Sequence, residues 1–154
     1  MKTLVVYDSA YGNTAKVAEA IGRVAGEKGE AKVVLIKDAT PDMLEGVELL
    51  VVGSPTQGGT FTKAMQGYLT QQLPIIKGLR VAAFDTRFAE KEHGFGLKIL
   101  MKVIGYAGPK ILSVLSAKGG KKVADAEGFI VTDKEGPLAE GELERAEAWI
   151  RSLI

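Results

Sequence analysis

Between Glu48 and Gly53 stand four consecutive apolar, β-favouring residues, Leu49-Leu50-Val51-Val52. A strand with one wet face alternates apolar and polar side chains, and this run does not. It therefore predicts a strand buried on both faces, the usual state of a parallel sheet sandwiched between helices. The rest of the chain supplies the matching elements. Lys2–Tyr7, Lys32–Lys37 and Leu79–Asp85 are further short β-rich runs. Phe129–Val131 is the clearest part of a fifth, with Lys122–Ala124 a candidate extension. Helical spacing fills the intervals. Thr14–Lys28 places Val17, Ile21, Val24 and Ala25 on one face, and Gly29 is a candidate left-handed stop. Thr40 before Pro41 reads as an N-cap with proline at the first position, predicting a short helix over Pro41–Glu45. Helices are expected over Lys63–Gln72 and from Gly108-Pro109 to Lys118, with Leu97–Tyr106 a helix or half-helix. In the last helix, Gly141–Leu153, Leu143, Ala146, Ile150 and Leu153 form a stripe, with Trp149 packing beside it. Five strands alternating with five helices predict an α/β fold with a parallel sheet covered on both sides. No internal repeat or linker interrupts the 154 residues, so a single domain over 1–154 is expected.

Ligands of such sheets sit at the carboxyl ends of the strands, near the point where strand order reverses. That rule selects three loops, after strands one, three and four. The first, Asp8-Ser9-Ala10-Tyr11-Gly12-Asn13, leads into Thr14 and the helix. Ser9, Asn13 and Thr14 carry side-chain donors, Gly12 permits close backbone approach, and the helix amides favour an anion. No Lys or Arg occurs from Asp8 to Ala15. The loop lacks both the G-x-x-x-x-G-K-[ST] nucleotide loop and the G-x-G-x-x-G dinucleotide fingerprint. Taken alone, it reads equally as a ligand-free turn. The second loop, Gly53-Ser54-Pro55-Thr56-Gln57-Gly58-Gly59-Thr60-Phe61-Thr62, is too poor in apolar residues to pack a core and is a candidate ligand wall. The third begins Asp85-Thr86-Arg87-Phe88 and runs to His93-Gly94-Phe95-Gly96. Its groups suit a flat ring with polar edges. Asp85 and Arg87 also read as a local ion pair, and His93 as a solvated loop residue.

Composition narrows the chemistry. There is no cysteine and only one histidine, which excludes disulfides, thiolate sites and multi-histidine metal sites. No catalytic or metal-binding residue is expected. No secretory signal or membrane-length apolar run is evident, and a cytoplasmic location is expected. A net charge of +1 conceals a division: Thr86–Lys122 holds eight basic and two acidic residues, and Val123–Ile154 three basic and eight acidic. That division can orient a charged partner or simply mark two solvated faces.

Together the three loops resemble the flavodoxin family. Val5–Thr14 is similar to its first-loop signature, and Ser54-Pro55-Thr56-x-Gly58-Gly59 to the loop after its third strand. The stretch Gly128-Phe129-Ile130-Val131 with Glu135-Gly136-Pro137-Leu138 and Glu142–Trp149 resembles a bacterial and archaeal single-domain subgroup. The resemblance implies a flavodoxin-like three-layer, doubly wound sandwich whose five-stranded parallel sheet has the order 2-1-3-4-5. It also implies non-covalent FMN.

Position by position, it implies that Ser9, Ala10, Tyr11, Gly12, Asn13 and Thr14 form the phosphate loop. Ser54 and Pro55 would lead into Thr56, Gln57, Gly58 and Gly59 along the isoalloxazine ring. Asp85, Thr86, Arg87 and Phe88 would line the other side of the ring. A carbonyl at Gly58 would turn to accept a hydrogen bond from reduced flavin N5–H. Three departures from the family pattern stand out: the net charge is not acidic, Gln57 occupies a common aromatic position, and the usual stacking Trp or Tyr of the third loop has no clear counterpart, leaving Phe88 as the candidate at that position. Arg87 beside the ring would favour an anionic reduced flavin. The implied function is electron transfer between redox partner proteins. Alternatives are a flavoenzyme of the same fold, such as a quinone reductase or protoporphyrinogen oxidase, or a non-redox binding module that has lost FMN.

Overall fold

The computed structural model describes residues 1–88 and 105–154. The expected helix over Leu97–Tyr106, apart from its last two residues, lies outside them, as do His93 and Phe95. Strand β1 (Lys2–Tyr7) is followed by helix α1 (Asn13–Glu27) and β2 (Glu30–Leu35). Two 3-10 turns, Ile36–Asp38 and Pro41–Leu44, precede β3 (Leu49–Pro55). Helix α2 (Lys63–Gly67) continues as a π turn over Tyr68–Gln72 and leads to β4 (Arg80–Phe88). Helix α3 (Ala107–Ala117), the short strands β5 (Lys121–Lys122) and β6 (Glu127–Val131), and α4 (Glu142–Arg151) complete the description.

All the strands pair in parallel, in the order β2-β1-β3-β4-β5, with β6 also on β4. The expected order holds, and the fifth position is shared by two strands. From Val81 to Phe84, β4 advances three residues while its partner advances five, from Lys122 to Glu127. The two surplus residues form a bulge that splits this edge into two strands. The pairing of β6 with Phe84–Phe88 also prolongs β4 beyond the expected end at Asp85.

The apolar run in β3 behaves as its composition requires. Leu50 and Val52 join Leu4, Val6 and Val81 on one face, under Met65 and Leu69 and against Ile111 and Leu115 of α3. Leu49 and Val51 join Val5, Ala82 and Phe84 on the other, against Val17 and Ile21 of α1 and Ile150 of α4. Each such fully buried aliphatic side chain contributes about 1.5–3 kcal/mol relative to exposure. Trp149 packs against Phe84 and Phe129 with edge-to-face centroid distances of 6.4 and 6.1 Å.

Two local expectations are corrected. Gly29 is not left-handed. It is small because a Cβ there would lie 2.2 Å from the Met1 carbonyl oxygen. Thr40 makes no side-chain cap, and the short helix that Pro41 opens is a 3-10 turn over Pro41–Leu44.

Helix α4 is fastened to the sheet edge by Glu142. Its carboxylate accepts the Ile130 N–H at 2.6 Å and two bonds from Arg145, at 2.9 and 2.7 Å. Burial alone would raise its pKa, but the Arg145 and Ile130 hydrogen bonds and the Arg145 charge more than offset this and hold it below the ordinary value. A depressed carboxylate pKa contributes stability above the unfolded pKa, lost as pH falls through the folded one. Glu142→Gln is expected to cost about 1–2 kcal/mol near neutral pH. The lower end applies because Arg145 is 39% exposed. Urea titrations should show the deficit shrinking as pH drops below about 4.3. A deficit independent of pH would contradict this role.

Candidate functional site

The carboxyl ends of β1, β3, β4 and β6 surround a cavity of about 540 Å³. Its walls include Ala10, Tyr11, Asn13 and Thr14 from the first loop and Pro55, Thr56, Gln57 and Gly58 from the second. Thr86, Arg87 and Phe88 close a third side. These last three belong to strand β4 rather than to a loop, which fixes their direction.

The first loop is organised by its own small groups. Gly12 takes φ +92°, a left-handed conformation open to glycine at little cost, and donates its N–H to Ser9 Oγ at 3.1 Å. Helix α1 then begins with no acidic residue in its first turn, leaving its leading N–H groups to an anion. Asp8 holds the loop in place. Its N–H donates to the Gly53 carbonyl at 3.0 Å, and its carboxylate accepts from the Ser9 N–H at 3.0 Å and from the Thr62 hydroxyl. Thr14 and Thr86 share a hydroxyl hydrogen bond of 2.9 Å, joining the first wall to the third.

The second loop carries a tight turn at its tip. Gln57 and Thr60 exchange backbone hydrogen bonds of 2.8 and 3.2 Å around Gly58 and Gly59, at φ +59° and +81°. Positive φ at both central positions marks a type I′ turn, which strongly favours this glycine pair. The start of α3 braces the turn. Lys110 Nζ donates to the Gly59 carbonyl at 2.7 Å, and the Ala107 N–H donates to Thr56 Oγ1 at 3.0 Å.

Several expected site residues stand behind the walls. Ser54 is fully buried, and its hydroxyl accepts the Thr62 N–H at 3.2 Å and donates to the Pro55 carbonyl at 2.9 Å. Asp85, also 0% exposed, accepts two 2.7 Å bonds from the Arg87 guanidinium and a 2.8 Å bond from the Gly108 N–H. Ser9, Gly12 and Gly59 shape the turns without lining the cavity. The ion-pair reading of Asp85 and Arg87 therefore holds. The buried carboxylate compensates the Arg87 charge, which weakens the pull toward an anionic reduced flavin implied for Arg87. The guanidinium also stacks on Tyr106, 3.6 Å from the ring centroid. Two lining residues were not anticipated: Val131 and Lys134, from the end of β6 and the loop beyond.

A family model described as a flavodoxin domain matches residues 4–102. The chain belongs to the flavodoxin family. Solved flavodoxins share the fold. One from the domain Archaea is 24% identical, with a TM-score of 0.74 and coverage of 99% of this chain and 96% of that one. Flavodoxin 1 from Bacillus cereus is 18% identical, with a TM-score of 0.71 and coverage of 98% and 95%. A flavodiiron protein from Giardia intestinalis matches at 22% identity and a TM-score of 0.73, covering 99% of this chain but 35% of that one. Flavodoxin-family proteins bind FMN, and the residues present fit that group. The cavity lies within the range of about 300–1,000 Å³ typical of small-molecule sites. An uncharged helix start can take the phosphate, and a glycine tip leaves room beside a flat ring.

Proposed function

We propose that this flavodoxin is an FMN-dependent electron carrier that serves redox partner proteins in the cytoplasm. The observation that carries the reading is the composition of the cavity wall: hydroxyls, the amide side chains of Asn13 and Gln57, glycine backbone, the Lys134 ammonium and a guanidinium compensated from behind by buried Asp85. Such a wall binds and orients a cofactor but offers no general base placed against a substrate. FMN, when bound, supplies the capacity to take up and release electrons one at a time.

In this proposal Asn13, Thr14 and the free N–H groups of α1 hold the phosphate. Thr56, Gln57 and Gly58 lie along one side of the ring, and Thr86, Arg87 and Phe88 along the other. The type I′ turn presents peptide groups to the ring, and Lys110 restrains the Gly59 carbonyl. Exposed Tyr11 and Phe88 form an apolar rim where a partner can approach. No helix among the described residues is long and apolar enough to cross a membrane.

Stepwise reduction of the FMN-loaded protein, followed by its visible spectrum, tests the proposal. Two resolved one-electron steps are expected, with no bleaching by NAD(P)H unless a reductase is added. Rapid direct bleaching by NAD(P)H, or turnover of a quinone, would replace the carrier reading with an enzymatic one. Failure to take up FMN would indicate a module that no longer uses the cofactor.

A further inference from the structure

The first loop is devoid of basic residues, yet the folded chain brings a cation to it. Lys134 lines the same cavity as Asn13 and Thr14. The segment that carries it, 132–137, is seated on the start of α1. Asn13 Nδ2 donates to the Glu135 carbonyl at 3.1 Å. Gly136, at φ +105°, approaches so closely that a Cβ there would lie 2.6 Å from the Asn13 side-chain oxygen. Within the segment, the Thr132 N–H donates to the Pro137 carbonyl at 2.9 Å and the Gly136 N–H to the Asp133 carbonyl at 3.0 Å. Lys134 is thus held near the helix start by a closed loop rather than a free tail.

The acidic neighbours of Lys134 are not on the cavity wall. The Asp133 carboxylate accepts the Lys134 backbone N–H at 2.7 Å. Among the described residues Lys134 makes no salt bridge. The α1 start alone offers the equivalent of roughly half a positive charge. A phosphate monoester carries about −1.5 to −2 near neutral pH. The anion expected here therefore exceeds what the helix can neutralise, and the ammonium on the same wall is the nearest chemical match.

We propose that Lys134 is a cofactor-binding residue whose ammonium is the counter-ion of the FMN phosphate at the start of α1. The inference rests on the cofactor reading and refines it. It makes the protein select the phosphorylated flavin through a residue about 120 positions from the phosphate loop.

Fluorescence titrations of the apoprotein with FMN and with riboflavin, at low and high salt, test this directly. Lys134→Gln is expected to raise the FMN dissociation constant about tenfold. The riboflavin constant should stay within about twofold. The fall in FMN affinity between 0.05 and 0.5 M salt (roughly one Debye-length regime to another) should be shallower in Lys134→Gln than in wild type. Lys134→Arg should restore FMN affinity, and the apoprotein melting temperature should be unchanged in both variants because the side chain is exposed.

Equal weakening of riboflavin and FMN would place the ammonium at the ring and overturn the proposal. So would an FMN constant unmoved by Lys134→Gln. Wild-type protein that binds no FMN would instead overturn the cofactor reading beneath it.

Discussion

Replacing Asp85, which stands behind the cavity wall, by alanine is expected to cost the fold about 3–5 kcal/mol. The carboxylate is 0% exposed and accepts three hydrogen bonds, two from Arg87 and one from Gly108. Its removal strands a guanidinium that is only 19% exposed and uncaps the start of α3. Glycine at 108 is part of the same arrangement, since a Cβ there would lie 2.8 Å from Asp85 Oδ2. Gly128 serves Arg87 likewise: a Cβ would meet the guanidinium at 2.2 Å.

Chemical denaturation checks the cost, and a second substitution identifies its origin. Arg87→Met in the Asp85→Ala background should recover a large part of the loss, because the penalty is mostly that of an unpaired buried charge. If the double variant is no more stable than the single, the helix cap rather than the ion pair carries the effect. In any Asp85→Ala protein that still binds FMN, the uncompensated Arg87 should raise the flavin potential, since a nearby cation favours the more negative state.

The parts of this site legible in the sequence are those built from contiguous residues. The first loop needs a left-handed glycine and a helix start, and both are written locally in Gly12-Asn13-Thr14. The second needs two positive-φ residues at its tip, and Gly58-Gly59 supplies them side by side. What local reading missed depends on partners distant in the chain. Nothing in Arg87-Phe88 announces that β6 will pair with them and extend β4. Ser54 and Asp85 look like ligand groups because hydroxyls and carboxylates near a loop usually face solvent. Here the loop backbone and Arg87 consume them instead. Lys134 had no local signal at all. The available hint was indirect: Gly136-Pro137 marks a turn after the last strand, and a doubly wound sheet returns that turn to the side of its first helix.

A methyl group at Gly53 should be nearly as damaging as the loss of Asp85, for a steric rather than an electrostatic reason. A Cβ there would lie 2.1, 2.3 and 2.5 Å from three atoms of the Phe84 ring. That ring cannot simply swing aside. It is fully buried and packed edge-to-face with Phe129 and Trp149, at centroid distances of 6.1 and 6.4 Å. Gly53→Ala is therefore expected to cost about 3 kcal/mol, the upper end of the usual range for an overfilled core. The effect should reach the site, because the Gly53 carbonyl holds the Asp8 N–H and so positions the first loop. FMN affinity should fall along with stability.

The steric origin has its own signature. Leucine lacks the three ring atoms that the methyl would strike. Phe84→Leu alone should cost about 1–2 kcal/mol for the lost aromatic contacts. Combined with Gly53→Ala it should cost at least about 1 kcal/mol less than the two separate losses together. Strict additivity in thermal or urea unfolding would mean that the strand backbone, and not the ring, demands glycine at this position.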